Sequence, residues 1–283
     1  MKKMRQSTIG TAQICAHRLT YDLDPRIPYS SGVVRAIGTA IHAGHEAYYQ
    51  HRKETGEFVT NIRPWIERAL DVFQGEIDRA GDRFNWQFQP KKARSDEIIL
   101  NFEEAAMKIG SAISFYHQNE HYWDGGYEVL GIEEQFDLPW EGREDWVRHG
   151  TIDLILRETN TGDVILCDHK NSLAKPRADK YRAYKTPQAA YYLGVFHELG
   201  LAEPDANLRF VYDVIALDGP TFHRIEEPRS ETQIAATKLQ SEMLADLIDA
   251  GGPYLPNTES FLCSQAYCDH WDICPFGAAL RAS

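Results

Sequence analysis

Two apolar, β-rich segments carry carboxylates where a strand interior would ordinarily exclude them. Residues 147–156 read Val-Arg-His-Gly-Thr-Ile-Asp-Leu-Ile-Leu, and residues 164–168 read Val-Ile-Leu-Cys-Asp. The intervening Thr159-Asn160-Thr161-Gly162-Asp163 is a turn signal, so the two segments predict a hairpin. A bare carboxylate inside a strand is costly to desolvate, and a hard divalent cation such as Mg²⁺ or Mn²⁺ offsets that cost. Strand alternation places Asp168 and Lys170 on one face and turns His169 away. An ammonium beside such an ion can orient a water molecule or stabilise charge on a phosphorane-like transition state. Asp153, Asp168 and Lys170 thus form a complete set for phosphodiester hydrolysis. Asp-x-Lys alone, however, is more often a structural ion pair at a sheet edge.

The surrounding pattern predicts an α/β chain. Helices are expected over 32–51, 62–79, 95–118, 178–199 and 231–249, and strands over 127–138, 208–217 and 222–225 in addition to the hairpin. The order implies a mixed sheet flanked by helices. Residues 1–126 form an N-terminal helical part, 127–228 the core, and 229–283 a helix with a cysteine-bearing tail, all integrated into one domain. No stretch approaches the roughly 18 apolar residues of a membrane span. No apolar stretch follows the basic N-terminus, so the expected compartment is cytoplasmic.

The net charge of −12 speaks against a uniformly basic nucleic-acid binder. Its distribution speaks differently: Lys170, Lys175, Arg177, Lys180, Arg182 and Lys185 follow one another against the single acid Asp179, a local charge of +5. The five residues after Lys170 are candidate phosphate contacts, although most charge runs are only solvated faces.

Five cysteines, an odd number with no secretory signal, argue against a disulfide framework and for metal or cluster ligation. Cys263, Cys268 and Cys274 cluster near the C-terminal end, and Cys15 lies near the other end. Cys167 reads as a small core residue.

Taken together, Gly38/His42, Gly150/Asp153/Ile155, Asp168/Lys170 and Gln188/Tyr192 resemble the ordered motifs of the RecB-like branch of PD-(D/E)XK nucleases. The resemblance spans about residues 10 to 276. It implies a restriction-endonuclease-like fold. It also implies metal ligation by His42, Asp153, Asp168 and the main-chain carbonyl of His169, with Lys170 as the catalytic lysine. Gln188 and Tyr192 would position DNA or support the centre. Either Glu133 or Glu134 would add a further acid, since alternation lets only one face the site. The Cys15, Cys263, Cys268 and Cys274 set is similar to the one that holds a [4Fe–4S] cluster in helicase–nuclease subunits and CRISPR-associated adaptation exonucleases. The same thiols could hold Zn²⁺, with His270 as a substitute ligand. The expected activity is metal-dependent DNA cleavage, from an end, in recombination, repair or phage and CRISPR DNA processing, alongside recombination or helicase proteins. The competing expectations are a DNA-end-binding scaffold subunit and a zinc-stapled domain without nuclease activity.

Overall fold

The expected hairpin forms the spine of a six-stranded mixed sheet in the computed structural model. The model describes residues 1–27, 32–57, 60–89, 98–119, 126–172, 186–203, 206–219, 221–226, 228–260, 262–264, 268 and 270–281. Strand β1 (Lys2–Met4) opens the chain, and helices α1 (Gln6–Cys15) and α2 (Leu19–Asp22) follow it. Next come α3 (Val33–Thr55), α4 (Arg63–Ala80), the short strands β2 (Gln87–Gln89) and β3 (Ile98–Ile99), and α5 (Phe102–Asn119). The main sheet is then built from β4 (Tyr127–Pro139), β5 (Trp146–Glu158), β6 (Val164–Ser172), β7 (Leu208–Ala216) and β8 (Phe222–Glu226). Helix α6 (Gln188–Phe196) connects β6 to β7, while α7 (Glu231–Asp249) and α8 (Pro275–Arg281) end the chain.

Strand order is β1-β5-β6-β7-β8, with β4 on the other side of β5. The β4–β5, β5–β6 and β7–β8 pairs are antiparallel, and β1–β5 and β6–β7 are parallel. β6, buried against both neighbours, reads as a continuous apolar run for that reason. One core, rich in residues of α3, α4 and α5, covers one face of the sheet; α1, α6 and α7 cover the other. Gly44 allows the first core to close, because a Cβ there would stand 2.7 Å from Ile113 Cδ1 and 3.1 Å from the Trp65 carbonyl oxygen.

Several boundaries differ from the sequence expectation. The helix expected from residue 95 starts at Phe102. Asn101 and Glu104 form a reciprocal cap, with each side chain accepting the other's main-chain N–H at 2.9 Å, and Ile98 and Ile99 pair with β2 instead. α3 runs on to Thr55, where Gly56 at φ 69° supplies the left-handed residue that ends it. β6 continues past Asp168 to Ser172 because β7 pairs with it in parallel over that whole length. The helix expected over 178–199 is described only from Gln188, since residues 173–185 lie outside the described residues. β1 and α1 were not expected; three strand residues and a helix with Ile9 as its single buried residue leave little periodic signal. Among the described residues, no helix is long and apolar enough to cross a membrane.

Candidate active site

The site forms where two antiparallel strands part. The β5–β6 register runs from Arg157–Val164 to Leu154–Cys167 and stops there. One step further, the Asp153 carboxylate fills the gap, and its Oδ2 accepts the His169 main-chain N–H at 2.7 Å. A side chain therefore takes the place of a strand carbonyl, which satisfies the amide and holds the carboxylate at the opening.

Asp168 lies on the side of β6 that faces α6 and is 4% exposed. Its Oδ2 is 2.6 Å from Lys170 Nζ, two residues along on the same face, as alternation requires. Its Oδ1 accepts from Gln188 Nε2 at the start of α6. One helical turn on, the Tyr192 hydroxyl is held well above its ordinary value by burial, with Asp168 and Asp153 adding to the rise and polar groups of Thr151 and Gln188 opposing it. Gly150 makes room for this arrangement: a Cβ there would lie 2.7 Å from both Tyr192 Cε1 and Phe136 Cζ. The glycine of one motif and the tyrosine of another are thus a packing pair.

His42 reaches the opening from α3, with Nδ1 3.5 Å from Asp153 Oδ2 and 3.7 Å from Glu133 Oε1. The β4–β5 register pairs Ile132 with Leu154 and Glu134 with Ile152, so Glu133 stands across from Asp153. Of the two adjacent glutamates, Glu133 is the one that faces the site. Its φ of 44° is the only positive value at a non-glycine among the described residues. A glutamate in that conformation is strained by about 1–3 kcal/mol, and such strain concentrates at functional sites. Ligand atoms of His42, Glu133 and Asp153 all fall within 4.8 Å of one another.

The electrostatics fit a cation. Burial pushes the Asp168 carboxyl up to about 6; the Asp153 charge adds to this and Lys170 opposes it. Burial likewise raises Asp153, against the pull of His42 and Lys170. Burial works against a charged Lys170, yet Asp168 and Asp153 outweigh it and hold the ammonium above its ordinary value. Burial would also lower His42, but Asp153 and Glu133 raise it to about 9, so a proton occupies the imidazole beside the carboxylates. The Glu133 and Asp153 carboxylates with the His42 imidazole make an oxygen-rich donor set, the kind Mg²⁺ and Mn²⁺ favour, and the Asp168–Lys170 pair lies beside it.

The profile of the PD-(D/E)XK nuclease superfamily matches residues 6–275. The chain belongs to this superfamily. Among solved structures, the "Putative exonuclease" of Eubacterium rectale aligns with a TM-score of 0.51 at 12% identity, covering 93% of this chain and 87% of that one. The likeness is one of fold. The structure of SSO0001 aligns over 95% of both chains at 14% identity with a TM-score of 0.31, too low to carry an argument. No curated protein matches the chain.

Beside the candidate centre, a groove of about 470 Å³ opens between α3, α4 and β4, lined by Gly38, Thr39, His42, Glu46, Arg68 and Glu133. Arg68 is exposed and is the one lysine or arginine among the described residues of that lining. The candidate phosphate contacts Lys175, Arg177, Lys180, Arg182 and Lys185 lie outside the described residues.

Away from the nuclease centre, Cys15, Cys263, Cys268 and Cys274 line one pocket with His17, Tyr21 and His270. Burial raises the Cys263 thiol, and the other three cysteines add to the rise. The Asn257 main-chain N–H donates to Cys15 Sγ at 3.4 Å, and His17 N–H to the Leu255 carbonyl at 3.0 Å, so the two chain segments are stitched together around the thiols. His270 pairs with Asp22 at 2.7 Å. Cys167 is fully buried in the sheet, as expected of a core residue.

A second group of polar side chains, not singled out by the sequence, lies behind β6: Tyr49, Tyr116, Asp213 and Arg224. Asp213 did carry a signal of the same kind as Asp153, a carboxylate inside the apolar run Leu208–Ala216.

Proposed function

We propose that this nuclease is a divalent-metal-dependent DNA exonuclease, with Mg²⁺ or Mn²⁺ held by His42, Asp153, Asp168 and the His169 carbonyl. Glu133 would supply a further carboxylate. The observation that carries this reading is the convergence of Asp153, Glu133 and His42 beside the Asp168–Lys170 pair at a strand opening. When bound, the ion supplies Lewis acidity at a phosphoryl oxygen and a lowered pKa for water. Lys170, kept charged by two carboxylates, is placed to orient a hydrolytic water or to neutralise charge building on phosphorus. Gln188 fixes the Asp168 carboxylate, and Tyr192 stands one helical turn along the same face of α6. The groove past His42, with Arg68 at its wall, offers the substrate strand a way in. The preference for ends follows from the resemblance of the His and Gln-x-x-x-Tyr motifs to end-processing relatives. The exonuclease in the name of the Eubacterium rectale protein points the same way.

Cys15, Cys263, Cys268 and Cys274, which line one pocket, would hold a [4Fe–4S] cluster, with Zn²⁺ as the alternative.

End-labelled single- and double-stranded DNA incubated with Mg²⁺, Mn²⁺ or EDTA tests the main reading. Stepwise shortening with either metal and none with EDTA is the expected result. Cleavage in EDTA, or none with either metal, would overturn it.

A further inference from the structure

His169, between Asp168 and Lys170, is gripped from both ends. Its main-chain N–H is spent on Asp153, and its ring points away from Asp168 and Lys170 into a buried polar network. His169 Nε2 is 3.0 Å from the Tyr116 hydroxyl. That hydroxyl is 2.5 Å from the Tyr49 hydroxyl and donates to Asp213 Oδ2 at 3.4 Å. The Asp213 carboxylate takes two bonds from Arg224, Nε at 2.9 Å and Nη2 at 3.0 Å, and one from Cys167 Sγ at 3.5 Å. His45 packs on the His169 ring with centroids 4.9 Å apart. Tyr49, Tyr116, His169 and Asp213 are each at most 4% exposed, while the Arg224 side chain is 28% exposed. Residues of α3 and α5 therefore meet on one imidazole, and β7 and β8 complete the network behind them.

Cys167, His169 and Asp213 also bring ligand atoms within 4.8 Å of one another. The fork of Arg224 already neutralises Asp213, so an ion there would face a guanidinium. The Asp213 carboxylate thus has its partners within the network.

Burying this many polar groups costs more than an apolar core of the same volume, unless what they gain is orientation. What they orient is the peptide unit between Asp168 and Lys170. Rotation about the His169 backbone would move the Asp153 hydrogen bond and both flanking side chains together. We propose that Tyr116, backed by Tyr49, Asp213 and Arg224, is a positioning residue for the metal centre, acting through the His169 ring. The proposal rests on the metal-centre reading above. Partners of this kind around a metal site are worth about 10- to 100-fold in metal affinity.

The test is Mn²⁺ binding by titration calorimetry and electron paramagnetic resonance on the full chain, with Tm measured in parallel. Tyr116→Phe removes one hydroxyl and keeps the ring. The control is Tyr191→Phe, which removes an equally buried hydroxyl bonded to the Met4 carbonyl at 2.7 Å, off the network. Tyr116→Phe is expected to weaken Mn²⁺ binding about tenfold or more and to broaden the bound-metal spectrum, while Tyr191→Phe leaves both unchanged. Equal Mn²⁺ affinity in Tyr116→Phe and wild type would overturn the proposal, as would an equal loss in both variants. Should Tyr116→Phe not fold, Tyr49→Phe takes its place with the same expectations. A wild-type chain that binds no Mn²⁺ would instead remove the metal-centre reading itself.

Discussion

Lys170 Nζ stands 2.6 Å from Asp168 Oδ2, two residues away on the same strand face, so one ion pair spans the proposed catalytic lysine and a proposed metal ligand. Lysine and metal ion both answer the same negative charge. Lys170→Ala removes a cation without removing a ligand. The expected outcome is Mn²⁺ binding at least as tight as wild type, with cleavage slower by on the order of 10²- to 10³-fold. Single-turnover kinetics at saturating metal checks this; turnover near the wild-type rate would take the lysine out of the chemistry.

Asp168 gives a prediction with the opposite sign to most carboxylates. Its folded-state pKa, about 6, lies above the ordinary 3.8. The folded protein then binds this proton more tightly than the unfolded chain, so the metal-free protein loses stability as pH rises from about 4 to about 6. Asp168→Asn should raise the Tm of the metal-free protein at pH 7.5, about 2–4 °C for each kcal/mol recovered. It should also abolish the Tm rise that Mn²⁺ gives wild type. Scanning fluorimetry with and without Mn²⁺ reads both, and a lower Tm for the asparagine variant in EDTA would contradict the argument.

Gly150→Ala places a methyl 2.7 Å from Tyr192 Cε1 and Phe136 Cζ. Overpacking of this kind costs about 1–3 kcal/mol. Because Tyr192 shares its face of α6 with Gln188, which bonds Asp168, activity should fall further than stability alone accounts for. Urea unfolding and cleavage rates on the same preparation separate the two; an unchanged midpoint would show that the strand gives way freely.

Arg68→Ala tests the groove beside His42. Removing one phosphate contact should lower the salt dependence of DNA binding by about one unit of slope and leave Mn²⁺ affinity alone. Fluorescence anisotropy across a salt series measures it. An unaltered slope would move the substrate strand elsewhere.

For the cysteine pocket, anaerobically purified protein should be brown and contain iron and acid-labile sulfide in equal amounts. Cys268→Ser should lose both and have a lower Tm. Zinc without iron in the purified protein would exclude the cluster.

The hairpin and the Asp153, Asp168 and Lys170 set were legible because a period of two breaks visibly when charge enters an apolar run. The start of α5 was hidden for the opposite reason. Ile98 and Ile99 extend the apolar pattern of the helix, and only the Asn101–Glu104 cap marks the true boundary. Glu133 and Glu134 could not be told apart from sequence, because a backbone at φ 44° cannot be foreseen from a glutamate. The network behind His169 was invisible for a longer-range reason. Tyr116 lies 53 residues from His169 and 97 from Asp213, so no local spacing relates them.

The parting of β5 and β6 leaves one peptide hydrogen with an unusual partner. A ladder amide ordinarily reports on its neighbouring strand, but that of His169 reports on a carboxylate. Protonation of Asp153, or arrival of an ion beside it, alters the acceptor without moving the fold. The nuclease thus carries a built-in spectroscopic probe, a single backbone resonance whose shift and exchange rate follow the charge state of its centre.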